Sequence, residues 1–376
     1  MTGDLLPVLW LCGPPGVGKT VVGWEIRSRL ADSGVGTAFV DIDQLGICYP
    51  EPPSDPGRHR LQERGLRAVV EGFRSAGARC VVVAGVVDAQ RGVERDAFER
   101  VALTVCRLRA DHDELAARFL SRGMSVELVE RVLLEAEKLE AASFADLCVD
   151  TTGKPVAVIA DEVWERSGVR PADPGPARDE PAGPADGRVV WICGATGVGK
   201  SEVGFEVYRR TLGAGHTAAY LDLDQLGLCT TTDDAAGAHR LKARNAAAVW
   251  RVQREAGADH LVVVGPVEDA ATVAMYAGAL APGAVTVCRL HAGREQLTER
   301  VLARGRGSSW SQPGDPMRGR SEAHLRAVAA AAAEVAEGLE RADLGDFSVD
   351  TDERTAVEAA DVVMGRIGWA PAQSFP

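Results

Sequence analysis

Along the chain, short uninterrupted apolar runs alternate with longer stretches in which apolar residues return every three or four positions. Val8–Cys12 and Val189–Cys193 are two such runs, and each leads into a glycine-rich segment. Cys80–Ala84 and Leu261–Val264 are two more, followed by Leu103–Leu108 and Val285–Leu290. All are rich in β-branched residues and lack polar alternation, the pattern of strands covered on both faces of a parallel sheet. The helical spacing predicts amphipathic helices over Val21–Leu30 and Val203–Leu212, with further helices over 59–76 and 239–256. Strands alternating with helices predict an α/β, doubly wound architecture.

The pattern occurs twice. Gly13-Pro-Pro-Gly-Val-Gly-Lys-Thr20 returns as Gly194-Ala-Thr-Gly-Val-Gly-Lys-Ser201, and Asp41-Ile-Asp-Gln-Leu-Gly-Ile-Cys48 as Asp222-Leu-Asp-Gln-Leu-Gly-Leu-Cys229, both 181 positions on. His59-Arg60-Leu61, Thr104–Leu108 and Val149-Asp150-Thr151 return in the same order as His239-Arg240-Leu241, Thr286–Leu290 and Val349-Asp350-Thr351. Preserved order and spacing imply duplication and fusion. Between the copies, 171–187 holds five prolines and few apolar residues, which predicts an extended linker. The expected organisation is therefore two tandem P-loop domains, 1–170 and 188–376, joined by 171–187.

The glycine-rich segments fit G-x-x-x-x-G-K-[ST] between a strand and a helix, the setting the motif requires. Gly13, Gly16 and Gly18, and Gly194, Gly197 and Gly199, would let the backbone wrap so that several N–H groups face phosphate oxygens. The following helix N-terminus adds partial positive charge. Lys19 and Lys200 would reach the β- and γ-phosphates, and the Thr20 and Ser201 hydroxyls would ligate Mg²⁺.

Asp41-x-Asp43 and Asp222-x-Asp224 close the second strand, at the sheet edge where open α/β folds bind ligands. One carboxylate of each pair can hold the Mg²⁺ shell, and the other can take a proton from an attacking hydroxyl. The same pairs would also suit capping of a turn or helix. The third strand lacks the terminal acidic residues usual in motor and transporter ATPases, which turns the reading toward small kinases. Asp88 and Glu268 follow it at a slight distance.

Taken together, the P-loop, the D-x-D, the arginine-bearing helix and the final V-D-T resemble the small-molecule kinase branch of P-loop proteins, which includes shikimate, gluconate and adenylylsulfate kinases. The resemblance runs over most of each half. It implies that Asp41 and Asp222 support Mg²⁺, while Asp43 and Asp224 meet the acceptor hydroxyl. Arg60 and Arg64, and Arg240 and Arg244, resemble the arginines that follow in adenylylsulfate kinases. Asn245 matches an asparagine of that family, where the first copy has Gly65. The resemblance further implies a lid carrying Arg118 and Arg122 in one copy and Arg300 and Arg304 in the other, and a V-D-T loop near the adenine.

Spacing alone puts each of these arginine pairs on one helix face. There they could clamp an anionic acceptor or phosphoryl group, since guanidinium is permanently charged and forked. They would equally suit a solvated surface, with partners such as Glu63. The lids differ in length, because the second copy inserts a Gly-, Ser- and Pro-rich stretch at 308–320. That divergence implies that the halves do different work.

Composition narrows the function without choosing it. A net charge of −12 argues against a broad nucleic-acid footprint. The eight cysteines form no C-x-x-C pair and sit mostly in apolar runs, which fits buried free thiols in a reducing compartment. No apolar stretch is long enough to span a membrane, and Met1–Pro7 lacks a secretory pattern, so a cytoplasmic protein is expected. No N-K-x-D guanine motif appears at the expected place, which favours ATP. Two functions remain: an ATP- and Mg²⁺-dependent phosphotransferase acting on a small hydroxyl compound, or a nucleotide-regulated module without metabolite kinase activity. Equilibrium titration with Mg·ATP should give two sites per chain. Lys19→Ala and Lys200→Ala should each remove one site while leaving the circular dichroism spectrum unchanged. Normal binding by the double variant would sink the P-loop assignment.

Overall fold

The computed structural model describes residues 5–121, 125–173, 175, 183–232, 234–307 and 315–369. Residues 174 and 176–182 of the expected linker, residues 308–314 of the second-copy insertion, and Arg122 lie outside them. The chain forms two compact units. The first comprises Met1–Gly46, Gly57–Glu180 and Leu228–Leu241; the second comprises Ile47–Pro56, Pro181–Gly227 and Lys242–Pro376.

In chain order the first copy contributes β1 (Leu6–Cys12), α1 (Lys19–Asp32), β2 (Thr37–Asp41), the single-turn α2 (Ile42–Leu45) and the two-residue β3 (Cys48–Tyr49). There follow α3 (His59–Ser75), β4 (Cys80–Ala84), β5 (Val101–Arg109), α4 (His112–Leu120), α5 (Val129–Ala141), β6 (Leu147–Asp150) and α6 (Val156–Ser167). The second copy begins with β7 (Arg188–Cys193), α7 (Lys200–Gly213), β8 (Ala218–Asp222), α8 (Leu223–Leu226), α9 (Ala235–Glu255) and β9 (His260–Gly265). It ends with α10 (Ala270–Leu280), β10 (Val285–His291), α11 (Arg294–Gly305), α12 (Glu322–Arg341), β11 (Phe347–Asp350) and α13 (Ala356–Ile367).

The first unit's sheet runs β2-β4-β1-β5-β6, and every pairing is parallel. Leu9 and Leu11 of β1 turn one face toward Val22 and Ile26 of α1 and Ile159 and Val163 of α6. Trp10, one residue out of phase, points the other way. It meets Phe98 edge-on at 6.4 Å between ring centres, and Arg67 of α3 lies over that same ring. Both faces of β1 are thus covered, which is why it carries no polar residue. On the free side of β2, Leu228 and Thr230 add backbone pairing: Phe39 N–H donates to Leu228 O (2.9 Å) and Thr230 N–H to Thr37 O (3.1 Å).

The second unit's sheet runs β11-β10-β7-β9-β8-β3. Its first five strands are parallel, but β3 joins antiparallel, Cys48 opposite Ala219. Val190 and Ile192 of β7 pack with Val203 and Val207 of α7 and Ala360 and Val363 of α13. On the opposite face Trp191 meets Tyr276 of α10 at 4.8 Å. Seven of the eight cysteines are buried, and none of the eight forms a disulfide. Burial pushes the Cys12, Cys80 and Cys193 thiols up to about 12, far from thiolate nucleophiles at neutral pH.

The helices after the P-loops begin at Lys19 and Lys200, two and three residues before the apolar periodicity starts. A glycine in left-handed conformation opens each, Gly18 at φ 104° and Gly199 at φ 92°. The third strand ends in glycine for a steric reason. A Cβ at Gly85 would lie 1.9 Å from Ile42 Cγ2, and one at Gly265 would lie 2.7 Å from Leu223 Cβ. Ile42 and Leu223 are the middle residues of the two D-x-D motifs and are fully buried. These glycines therefore let the D-x-D turn settle onto the sheet edge. Gly85→Ala should cost about 1–3 kcal/mol in urea unfolding by overpacking. In an Ile42→Ala background that cost should shrink by at least about 0.5 kcal/mol. Strict additivity would contradict this contact.

Candidate functional site

In the first unit the P-loop joins β1 to α1. A Cβ at Gly13 would meet Leu108 O at 2.4 Å, so only glycine allows the loop to leave β1 against the main chain of β5. Lys19 folds back along the loop, and its Nζ donates to Gly13 O (2.8 Å) and Pro14 O (3.0 Å). Burial lowers its pKa, while the charges of Asp43, Glu135 and Asp41 act in the opposite sense. Incoming phosphate oxygens can replace these two carbonyls as acceptors.

Asp41 ends β2 and caps the α2 turn, accepting from Asp43 N–H at 3.1 Å. The capping and the site readings of this aspartate are thus compatible. Its side chain also hydrogen-bonds Thr20, so the two residues expected to share a cation do meet. Burial and the neighbouring Asp43 charge push the Asp41 carboxyl up to about 7. A hydroxyl beside a carboxylate is a hard oxygen donor set that fits Mg²⁺. Asp43 is exposed, and its Oδ1 accepts from Gln62 Nε2 of α3 at 3.2 Å.

The second unit repeats this plan. Lys200 Nζ donates to Gly194 O (3.0 Å) and Ala195 O (2.8 Å). Ser201 Oγ donates to Asp222 Oδ2 at 3.4 Å, and Asp222 caps α8 through Asp224 N–H at 3.0 Å. Burial, with Asp224 beside it, pushes Asp222 up to about 6. The difference lies one residue away. Where the first copy has Gln62, the second has Lys242, whose Nζ is 2.6 Å from Asp224 Oδ1. Desolvation acts upward on Asp224, but the charge and hydrogen bond of Lys242, joined by the charges of Lys200 and Arg304, hold the carboxyl below the usual range.

The first lid arginine is anchored alike in the two units. Arg118 of α4 donates to Thr151 Oγ1 and Thr151 O (both 2.9 Å) and to Val17 O of the P-loop (3.4 Å). Arg300 of α11 does the same with Thr351 Oγ1 (2.9 Å), Thr351 O (2.6 Å) and Val198 O (3.3 Å). Each arginine therefore ties a helix, the V-D-T loop and the phosphate loop together. Arg304 is held by Asp315, whose side chain is fully buried, at 2.7 Å.

The proposed acceptor arginines are less uniform. Arg60 is exposed and Arg64 half-buried on α3, while Glu63 between them is buried and pairs with Arg91 at 3.1 Å. In the second copy the unit boundary passes through α9, so Arg240 groups with the first unit and Arg244 with the second. Asn245 is buried and donates to Leu226 O (2.7 Å), bracing the turn that carries Asp224. At Gly65 the first copy has no such group, and a Cβ there would be tight, 3.1 Å from Leu45 Cβ.

Five contributors were not singled out from the sequence. Gln62 and Lys242 occupy matching positions of the repeat, and comparing the copies residue by residue would have revealed them. Thr151 and Thr351 carry the buried contacts of the V-D-T loop, whereas Asp150 and Asp350 each accept an N–H from within the loop. In α5, Glu135 lies in the field of Lys19 and Asp43; counted back from the V-D-T, the second copy has Val335 there.

Residues 9–141 match a family model described as an AAA domain. No curated protein matches the chain. Among solved structures, the tunicamycin resistance protein of Deinococcus radiodurans is similar at 21% identity and a TM-score of 0.35, covering 45% of this chain and 99% of its own. A gluconokinase from Sinorhizobium meliloti 1021 is similar at 23% identity and a TM-score of 0.29, covering 43% and 91%. Shikimate kinase from Bacteroides thetaiotaomicron is similar at 13% identity and a TM-score of 0.34, covering 48% and 98%. Among the described residues no helix is long and apolar enough to cross a membrane.

A carboxyl titrating near 7 makes cation binding pH-dependent, because the protonated form must release its proton to become a ligand. In a Lys200→Ala chain, Mg²⁺ affinity with ATP present should fall about tenfold from pH 8 to pH 6. Asp41→Asn should remove that component. An unchanged pH profile in the variant would overturn the assignment of Asp41.

Proposed function

We propose that this kinase-like P-loop chain transfers the γ-phosphoryl group of ATP to a hydroxyl of a small molecule, and that the first unit performs the transfer. The observation that carries the reading is the convergence of Lys19, the Thr20–Asp41 pair and the exposed Asp43 carboxylate at one sheet edge. Phosphoryl transfer needs in-line positioning and charge neutralisation, and each of these groups supplies one part. Lys19 and the loop N–H groups hold the β- and γ-phosphate oxygens. Thr20 and Asp41 hold Mg²⁺, which neutralises charge developing on those oxygens. Asp43 accepts the proton as the acceptor oxygen attacks phosphorus, and the bond to the ADP leaving oxygen breaks. Arg118 positions the phosphate loop through Val17 O; Arg122, outside the described residues, is assigned to the transferring group. Arg60 and Arg64 are assigned to an anionic part of the acceptor.

A second reading applies to the second unit, which carries Lys200, Ser201, Asp222, Asp224, Arg300, Arg304 and Arg244 in the corresponding roles. Its Asp224 is paired with Lys242 and its Arg304 with Asp315. A carboxylate held low by an ammonium is a weaker base than one hydrogen-bonded by a neutral amide. This favours a site that binds Mg·ATP and transfers slowly, a regulatory role for the second unit. ATP and Mg²⁺ are the cofactors of the reading, a cytoplasmic metabolite is its acceptor, and neither nucleic acid nor membrane enters it.

The test is label transfer from γ-labelled ATP into a cytoplasmic metabolite extract. A new labelled small molecule should form, with Asp43→Asn lowering its rate by about 10²-fold or more. Asp224→Asn should leave at least half of it. Equal losses in both variants would assign transfer to both units, and loss only in Asp224→Asn would reverse the assignment.

A further inference from the structure

At the opposite end of the second sheet from its P-loop, His216 precedes β8 and Asp259 immediately precedes His260, the first residue of β9. Strand pairing holds them together: Ala218 lies opposite His260, and the Asp259 and His260 N–H groups both donate to Thr217 O, at 3.0 and 3.2 Å. His260 is 5% exposed. Its ring lies 4.1 Å from the His216 ring, and Trp369 packs edge-on against it at 4.6 Å. Its Nδ1 meets Asp259 Oδ1 at 2.8 Å, whereas its Nε2 is buried with no hydrogen-bond partner. Two imidazoles and a carboxylate offer donor atoms all within 4.8 Å of one another, the one such cluster among the described residues.

We propose that His216, Asp259 and His260 form a binding site for a borderline divalent transition metal of the Zn²⁺ class. Two nitrogens and one oxygen are a donor set such ions prefer over Mg²⁺ or Ca²⁺. A tetrahedral Zn²⁺ with bonds of about 2.0–2.1 Å needs donors about 3.3 Å apart. Closing to that distance requires the half-buried His216 ring, in the connection before β8, to turn toward the other two donors. The first copy is an internal contrast. By the strand registers its matching residues are Val35, Arg79 and Cys80, which bring a cation and an apolar side chain to the same place. The site thus belongs to the second copy alone. Its bound ion would pin the starts of β8 and β9 beneath Trp369, well apart from the phosphate loop.

Full-length protein, stripped with chelator and then held in excess Mg²⁺, is titrated with Zn²⁺ by equilibrium dialysis, and with Co²⁺ by visible spectroscopy. One ion per chain is expected, with a d–d spectrum of nitrogen and oxygen ligation and no thiolate charge-transfer band. His216→Ala and His260→Gln should each weaken binding more than tenfold. They should also abolish the Zn²⁺-induced rise in Tm, while Mg·ATP binding persists. His216 is only half-buried, so its variant keeps the test decisive where His260→Gln fails to fold. No stoichiometric binding, an unchanged affinity in His216→Ala, or a thiolate spectrum would each overturn the site.

Discussion

The site in each unit depends on main chain approaching main chain at the carboxyl ends of the central strands. Gly13 and Gly194 pass so close to Leu108 O and Leu290 O that a Cβ would come within 2.4 and 2.5 Å of them. Gly85 and Gly265 leave the matching room for Ile42 and Leu223. With those four positions open, the phosphate loop and the D-x-D turn converge, and a Thr or Ser hydroxyl meets the first aspartate. Filling any of them would move a backbone that has nowhere to go in a close-packed interior. Burial of that aspartate follows from the same closeness, and burial is the main cause of its raised pKa.

Around this shared frame the units diverge by single charges. Gln62 leaves Asp43 bonded to a neutral amide, whereas Lys242 binds Asp224 as an ion pair. Arg304 has a buried carboxylate for a partner. The two phosphate loops are thus built alike, and the side chains beside the second aspartate differ. Arg118 and Arg300 are common to both units, each bracing its phosphate loop through Val17 O or Val198 O.

The fold was legible because its determinants are local. Apolar strands announced a sheet covered on both faces, and G-x-x-x-x-G-K-[ST] announced the loop between strand and helix. The meeting of Thr20 with Asp41 was legible for the same reason, since each lies at an element end set by pattern. What depended on side chains meeting across elements was not legible. Arg118 reads as one of a spaced pair on a helix, yet its function is fixed by Thr151, 33 residues away. Lys242 and Gln62 looked like ordinary helix positions until the turn carrying the second aspartate was set beside them. The pairing of Leu228 and Thr230 with β2, and of Cys48 with β8, has no signature in hydrophobic pattern, because both are short edge contacts made through the backbone.

The claim that the first unit is a phosphotransferase is tested most directly by a single turnover. Protein in excess over γ-labelled ATP is quenched at short times, with the metabolite extract present and the second phosphate loop disabled by Lys200→Ala. The account predicts that label leaves ATP for a small organic molecule faster than it appears as inorganic phosphate. Label appearing only as inorganic phosphate, at the same rate with and without the extract, would contradict it and leave a nucleotide-regulated module as the better description.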